Sequence, residues 1–232
     1  MVRTLYVRIT DLSEFLFQSG DSRAAVMSED HACMYDQKFE QLPARNVSLS
    51  TFLQSYKYFQ QVEDQLRRDL TFKPHVLNMA YQWLELQTPA KWRGLKFVRV
   101  MIHIRRQDYA PPPRVQNGWS IPTADYVRRS ASYFVECLER VQFVVLSDDP
   151  AWCIKNINVT DTVFSIGHRP IFDMAVASLC DHAIISIGTF GWWAAWFANG
   201  ITITPKETPI KGTTLAKMFR RDDYYKPQWI GL

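Results

Sequence analysis

The sequence predicts an α/β protein: a Rossmann-like parallel sheet in its carboxyl-terminal part, preceded by a smaller helical or mixed portion. Three observations predict it. From Phe97 onward, short apolar runs alternate with longer stretches of helical period. The runs are apolar on both faces, as strands covered by helices on each side must be. And 232 residues at 47% hydrophobic and 14% aromatic content supply enough apolar surface for one large domain or two small ones.

Residues 1–94 form the first portion. Asp11 to Glu40 mixes charge, Ser and Gly without a clear period, so it reads as irregular or short elements and offers no chemistry. From Ser50, Phe52, Leu53, Tyr56, Phe59, Val62 and Leu66 recur at spacings of three and four, which predicts a helix. A second helix is expected from His75 to Leu86, with Val76, Met79, Ala80, Trp83 and Leu84 or Gln87 as its core stripe.

Residues 95–232 form the second portion, where the period changes after Pro89 and Gly94. Strands are expected at Phe97 to Ile104, Gln142 to Leu146, Thr162 to Ile166, Ala183 to Ile187 and Ile201 to Thr204. Between them, helices are expected from Thr123 through a stripe ending at Val141, and at Ala151 to Ile157, Phe172 to Cys180 and Phe190 to Asn199. Repeated β-α-β units make the sheet parallel, and ligands of such sheets lie beyond the carboxyl ends of the strands.

Composition narrows the function. The net charge of +4 comes from 27 basic and 23 acidic residues, scattered without an aromatic-interleaved basic face, so nucleic acid is not an expected partner. No run approaches the roughly 18 to 20 apolar residues of a membrane span, and Arg3 and Arg8 interrupt the first ten residues, so the chain as written reads as soluble. Cys33, Cys137, Cys153 and Cys180 lack metal-ligand spacing but allow one disulfide. Asn46-Val47-Ser48 and Asn158-Val159-Thr160 are glycosylation acceptors if the chain meets the secretory lumen.

Three constellations sit where a ligand would dock. His103-Ile104-Arg105-Arg106-Gln107-Asp108 follows the first buried strand; an Arg pair is ordinarily a solvated face, but a guanidinium fork also suits a diphosphate. Ser186-Ile187-Gly188-Thr189-Phe190-Gly191 joins a strand to a helix, either as a compact turn or as an anion cradle on the first helical N–H groups. Asp173, near a helix start, serves the helix dipole or the paired N–H donors of a purine. No G-x-S-x-G, H-E-x-x-H or Cys/His pair supports hydrolysis, and Asp148-Asp149 before Pro150 reads as a polar turn.

Together these blocks, with Phe143 to Asp149, Ala151-Trp152-Cys153, Cys180-Asp181-His182, Gly191-Trp192-Trp193-Ala194-Ala195, Leu53 to Phe59 and the ending Pro227-Gln228-Trp229-Ile230-Gly231, resemble the α-1,2-fucosyltransferase family over about residues 30 to 232. The resemblance implies a GT-B-like fold in which residues 1–94 form an incomplete acceptor side and residues 95–232 bind GDP-fucose. It implies inverting, metal-independent transfer of L-fucose to the 2-hydroxyl of a galactose-terminated glycan, with GDP-fucose as co-substrate and no cofactor. It implies that Arg105 grips the β-phosphate, Arg106 braces the loop, His103 and Asp173 face the guanine, and Ser186, Gly188, Thr189 and Phe190 line the pyrophosphate. Asp108, beside the Arg pair, is either the base or an ion partner of an arginine. The family pattern places such an enzyme in the Golgi lumen behind a membrane anchor that this chain, as written, does not carry. Gln107 stands where the family has Gly, Trp192 and Trp193 are bulkier than its pattern, and a G-x-x-G-N-Q block is missing. A binding protein of the same fold that has lost turnover, and a fucosyltransferase for other acceptors, are the alternative readings.

Overall fold

The computed structural model describes residues 25–43, 47–49, 52–109 and 112–232. The chain divides into two compact units, each described by itself. One comprises the described residues before Phe72 together with Met218–Tyr225; the other is formed by the described residues from Phe72 to Lys217 and from Lys226 to Leu232.

In the first unit, β1 (Ala25–Met27) pairs in parallel with β2 (Val47–Leu49), and Cys33 bridges to Phe219. A 3-10 helix, Gln37–Gln41, starts where the Asp36 side chain accepts from the Lys38 N–H. The helix expected from Ser50 begins later. Ser55 accepts from the Lys57 N–H and caps a 3-10 turn at Tyr56–Tyr58; a second follows at Gln60–Val62, and only then does α1 (Glu63–Asp69) form. Leu53 has φ +46 and donates its N–H to Glu29, and Phe52 is 80% exposed, so neither continues an apolar helical face.

The second unit opens with α2 (Pro74–Gln87), which buries Ala80 and Leu84 but leaves Met79 outside. Then come β3 (Val98–Ile104), α3 (Pro112–Gln116), α4 (Ala124–Cys137), β4 (Val141–Ser147), α5 (Pro150–Asn156) and β5 (Thr162–Ser165). They are followed by α6 (Pro170–Ser178), β6 (His182–Ile185), α7 (Thr189–Ala198), β7 (Thr202–Thr204), α8 (Thr214–Lys217) and β8 (Ile230–Gly231). Thr123 caps α4 as its sequence suggests, but α4 stops at Cys137, and Val141 begins a strand rather than ending a helix.

The six strands β3 to β8 run parallel in the order β5-β4-β3-β6-β7-β8. The chain steps outward from β3 to β5, returns beside β3 as β6, and steps outward again. This is the doubly wound order of a Rossmann sheet, so the switch point lies between β3 and β6. The expected α/β class and Rossmann-like sheet are therefore what the chain forms.

Val100, Ile102 and Ile104 of β3 are buried with Phe143, Val145, Ile184, Val127 and Phe134 in one core cluster. Met101 and His103 face the other way, where α7 packs on β3 and β6. Burial on both faces is why these strands read as continuous apolar runs. The four cysteines are free, three of them buried, so the disulfide that the sequence allowed is not formed. Among the described residues no helix is long and apolar enough to cross a membrane.

Candidate active site

Parallel register brings the ends of β3 and β6 side by side, with His103 opposite Ile185. Two hydrogen bonds fasten the loops that leave them. The Ser186 N–H donates to the His103 carbonyl at 3.0 Å, and the Arg105 N–H donates to Ser186 Oγ at 2.9 Å. Ser186 is 1% exposed, so its hydroxyl serves as an internal clasp. The chain then turns at Gly188, whose φ of +95° suits glycine alone, into the start of α7.

The turn also makes room for a cation. A side chain on Gly188 would stand 3.0 Å from Arg105 Cδ, so the arginine stem lies directly against the bare backbone. The first N–H groups of α7 have no acceptor inside the helix, and Trp192 is the first residue to bond back, to Gly188 O at 3.3 Å. Arg105 and the positive end of a ten-residue helix thus meet at the switch point, with Thr189 exposed beside them.

His103 lies beneath this turn. Its ring is 5.4 Å from that of Phe190, and a Cβ on Gly191 would fall 2.3 Å from His103 Nδ1. Nδ1 has no hydrogen-bond partner. Burial, helped by the neighbouring Arg105 charge, pushes the imidazole down to about 3, so it is neutral at ordinary pH.

The two arginines part, as strand alternation requires. Arg105 makes a bidentate pair with Asp108, at 2.9 and 2.6 Å, and its guanidinium lies 5.2 Å from the centre of the Tyr109 ring. The paired carboxylate holds the Arg105 pKa above its already high value. Tyr109 in turn meets Trp119 edge-on at 5.1 Å. Arg106 turns the other way, with its guanidinium 4.0 Å over Trp152, Nη1 donating to the Pro122 carbonyl and Nε 3.4 Å from Asp149. Both Asp108 and Asp149 are thus ion partners of these arginines.

Asp148 does more than turn the chain. Its two carboxylate oxygens accept the N–H groups of Arg106, at 2.9 Å, and of Gln107, at 3.3 Å, and so hold the start of the loop after β3. The Gln107 side chain is exposed. Parallel pairing of Ile104 with Ser147 is what puts Asp148 there, a cue the sequence carries only once the strand order is known.

Asp173 stands apart from this cluster. It accepts from Ser165 Oγ at 2.6 Å beyond the end of β5, two strands from β3. Burial raises its carboxyl above the usual range, against the opposing hydrogen bond from Ser165. His168, whose charge acts on Asp173, lies with its ring centre 4.2 Å from that of Phe172, and Trp83 meets both rings edge-on. The structure therefore gathers His103, Arg105, Asp108, Ser186, Gly188, Thr189 and Phe190, sends Arg106 into the scaffold, and sets Asp173 to one side. Asn158 is exposed after α5; Asn46 lies outside the described residues. Among the described residues no three His, Cys, Asp or Glu side chains are grouped to hold a metal.

The model of the family described as glycosyl transferase family 11 matches residues 5–232. The chain belongs to that family. It is similar to galactoside alpha-(1,2)-fucosyltransferase 2 of Sus scrofa, with 30% identity covering 85% of this chain and 59% of that protein. It is similar also to galactoside alpha-(1,2)-fucosyltransferase 1 of Mus musculus, with 31% identity covering 87% and 56%. The chain spans just over half the length of these relatives. Among solved structures, the beta Kdo 2,7 transferase KpsC of Thermosulfurimonas dismutans aligns over 73% of this chain and 61% of that one at 10% identity and a TM-score of 0.31, a likeness too slight to define the fold.

Within the family motifs, the tryptophans that looked oversized are packing groups. Trp192 meets Trp193 and Trp229, each at 5.1 Å, and Trp193 meets Trp196, so the bulk of α7 is turned into its own packing and toward the chain end.

Proposed function

We propose that this protein transfers L-fucose from GDP-fucose to the 2-hydroxyl of a galactose on a glycan, with inversion and without a metal ion. The observation that carries the proposal is Arg105 seated against Gly188 at the switch point, beside the open N–H groups of α7. Family membership supports the same reading.

In the transfer, galactose O2 bonds to fucose C1 and its hydroxyl proton passes to solvent, while the bond from C1 to the phosphate oxygen breaks and GDP leaves with the electron pair. The charge that grows on GDP must be met by groups already in place. Arg105 and the first turn of α7 supply a cation and aimed N–H dipoles. Asp108 occupies two of the five guanidinium donors, leaving others for a phosphate oxygen. On this geometry Asp108 holds Arg105 in line, and a carboxylate so paired is a weak base.

Asp173 is suited to the guanine, whose ring N–H and exocyclic amine match two carboxylate oxygens. Its partner Ser165 ends a strand two spacings, about 10 Å, from β3. His103, enclosed under Phe190 and Gly191, supports the turn from below.

The test is transfer of radiolabelled fucose from GDP-fucose to lactose, with linkage analysis of the product and a parallel reaction containing EDTA. Formation of an α-1,2-linked product in both reactions is expected. GDP binding without transfer would select a non-catalytic binding protein instead, and activity lost to chelator and restored by manganese would defeat the metal-free step.

A further inference from the structure

The unit that contains Met218–Tyr225 holds a cavity of about 490 Å³ to which, of the motif blocks above, only Leu53 to Phe59 contributes a lining residue, Lys57. That volume lies within the range of about 300 to 1,000 Å³ usual for small-ligand sites. Asp223 lies at its base, 1% exposed, and is fixed by three donors: the Tyr35 N–H at 3.0 Å, Lys57 Nζ at 2.6 Å and Arg220 Nη1 at 3.3 Å. Burial works to raise the Asp223 carboxyl, but these donors prevail and hold it below the usual range. A buried, fixed carboxylate at the base of a cavity is a preorganised acceptor.

The rest of the wall selects what can enter. Asp30 and Asp36 both pair with Lys38, at 2.7 and 2.8 Å. Lys38 is outside the lining, but with it the three carboxylates are matched by Lys38, Lys57 and Arg220, so the cavity and the groups paired to it carry no excess charge. An anion would face the carboxylates, and a cation would have to displace a lysine or arginine. A neutral ligand rich in hydroxyls has neither difficulty, because a paired carboxylate keeps lone pairs to spare and guanidinium has donors beyond the one used here. His31 and Gln37, both exposed, add groups that donate and accept, and Met34 and the Tyr35 ring add apolar surface. Such a mixture of carboxylate, amide, imidazole and ring suits the alternating hydroxyl and C–H faces of a sugar.

We infer that this cavity is a binding site for a neutral saccharide. The choice of a galactoside as that saccharide rests on the transferase reading above; the site itself rests on the cavity.

Isothermal titration of the full chain with lactose and, separately, with GDP tests it, using the wild type and a His31→Ala/Gln37→Ala double variant whose changes fall on exposed side chains. The wild type is expected to bind lactose, and the double variant to bind it about tenfold or more weakly, the effect of losing one or two hydrogen bonds. GDP affinity is expected to be equal in the two. Lactose binding that is the same in both proteins, or absent from a wild type that binds GDP, overturns the inference and leaves the donor site standing. Tighter binding of 3′-sulfated lactose than of lactose overturns it as well. Lactose binding that the double variant loses, in a protein that does not bind GDP at all, supports the cavity and removes the donor reading instead.

Discussion

At Arg105 a stem pressed on Gly188 and a guanidinium held by Asp108 leave the side chain little freedom, so its charge is placed before any ligand arrives. Preorganised charge is what a leaving diphosphate needs. Arg105→Ala should cost about 1.5 to 3 kcal/mol of GDP affinity, roughly ten- to a hundredfold, because a charge-assisted bond is lost; calorimetry on the folded variant reads it directly, and unchanged affinity removes Arg105 from the site. Asp108→Asn separates two roles. If Asp108 positions Arg105, GDP affinity and transfer should fall together. Normal donor affinity with transfer slowed about a hundredfold or more would make it the base. His103 gives a pH signature. Its folded pKa of about 3 lies below the ordinary 6.5, so the unfolded chain binds the proton first as pH falls. Stability is therefore fully present above pH 6.5 and is lost between there and about 3, with a slope approaching about 1.4 kcal/mol per pH unit from this one group. Urea unfolding at pH 6.5, 5.5 and 4.5 should show that slope in the wild type and less of it in His103→Gln; equal slopes would mean that His103 titrates freely.

At the scale of elements, β3 and α7 are fitted to each other through one missing side chain. Gly191→Ala should gain about 1 kcal/mol of helix propensity, yet its Cβ would stand 2.3 Å from the buried His103 Nδ1. Overpacking of that kind costs about 1 to 3 kcal/mol, so the clash should cancel the gain or exceed it by up to about 2 kcal/mol, seen as a melting temperature unchanged or lower by up to several degrees; a variant more stable than wild type would show that the ring has room to move. The elements also explain what could be read in advance. Strands β3, β4 and β6 announced themselves because burial on both faces makes their residues apolar, and Thr123 marked the start of α4 because its hydroxyl accepts the Tyr126 N–H. The segment around Leu53 misled because apolar residues at helical spacing there serve a positive-φ turn and an exposed Phe52 instead. Asp148 was legible as a turn but not as the clamp on the Arg106 loop, since that role needs the neighbouring strand. The cavity at Asp223 could not be read at all, because Tyr35 and Asp223 stand 188 positions apart and no local pattern joins them.

Over the whole molecule, all the residues proposed to hold the donor belong to the sheet unit, while the Asp223 cavity belongs to the other. The chain passes from the sheet unit into the first unit after Lys217 and back at Lys226, so β8 is laid on β7 only after that excursion. Ligands should therefore stabilise the two units unequally. A ligand that binds only the folded form adds RT ln(1 + [L]/Kd), about 2.7 kcal/mol at a hundredfold excess over Kd, and it adds this to the openings that destroy its site. GDP at that concentration should slow amide exchange about a hundredfold in β3, β4 and β6, where exchange requires loss of the sheet. The paired amides of β1 and β2 should be almost unaffected, because opening that ladder leaves Arg105 and the Gly188 turn in place. Exchange followed by mass spectrometry on peptides from 98–104, 141–147, 182–192 and 47–49 distinguishes the outcomes. Protection by GDP strongest in 47–49 would put the nucleotide in the wrong unit, and equal protection everywhere would mean that the chain opens as a single cooperative body.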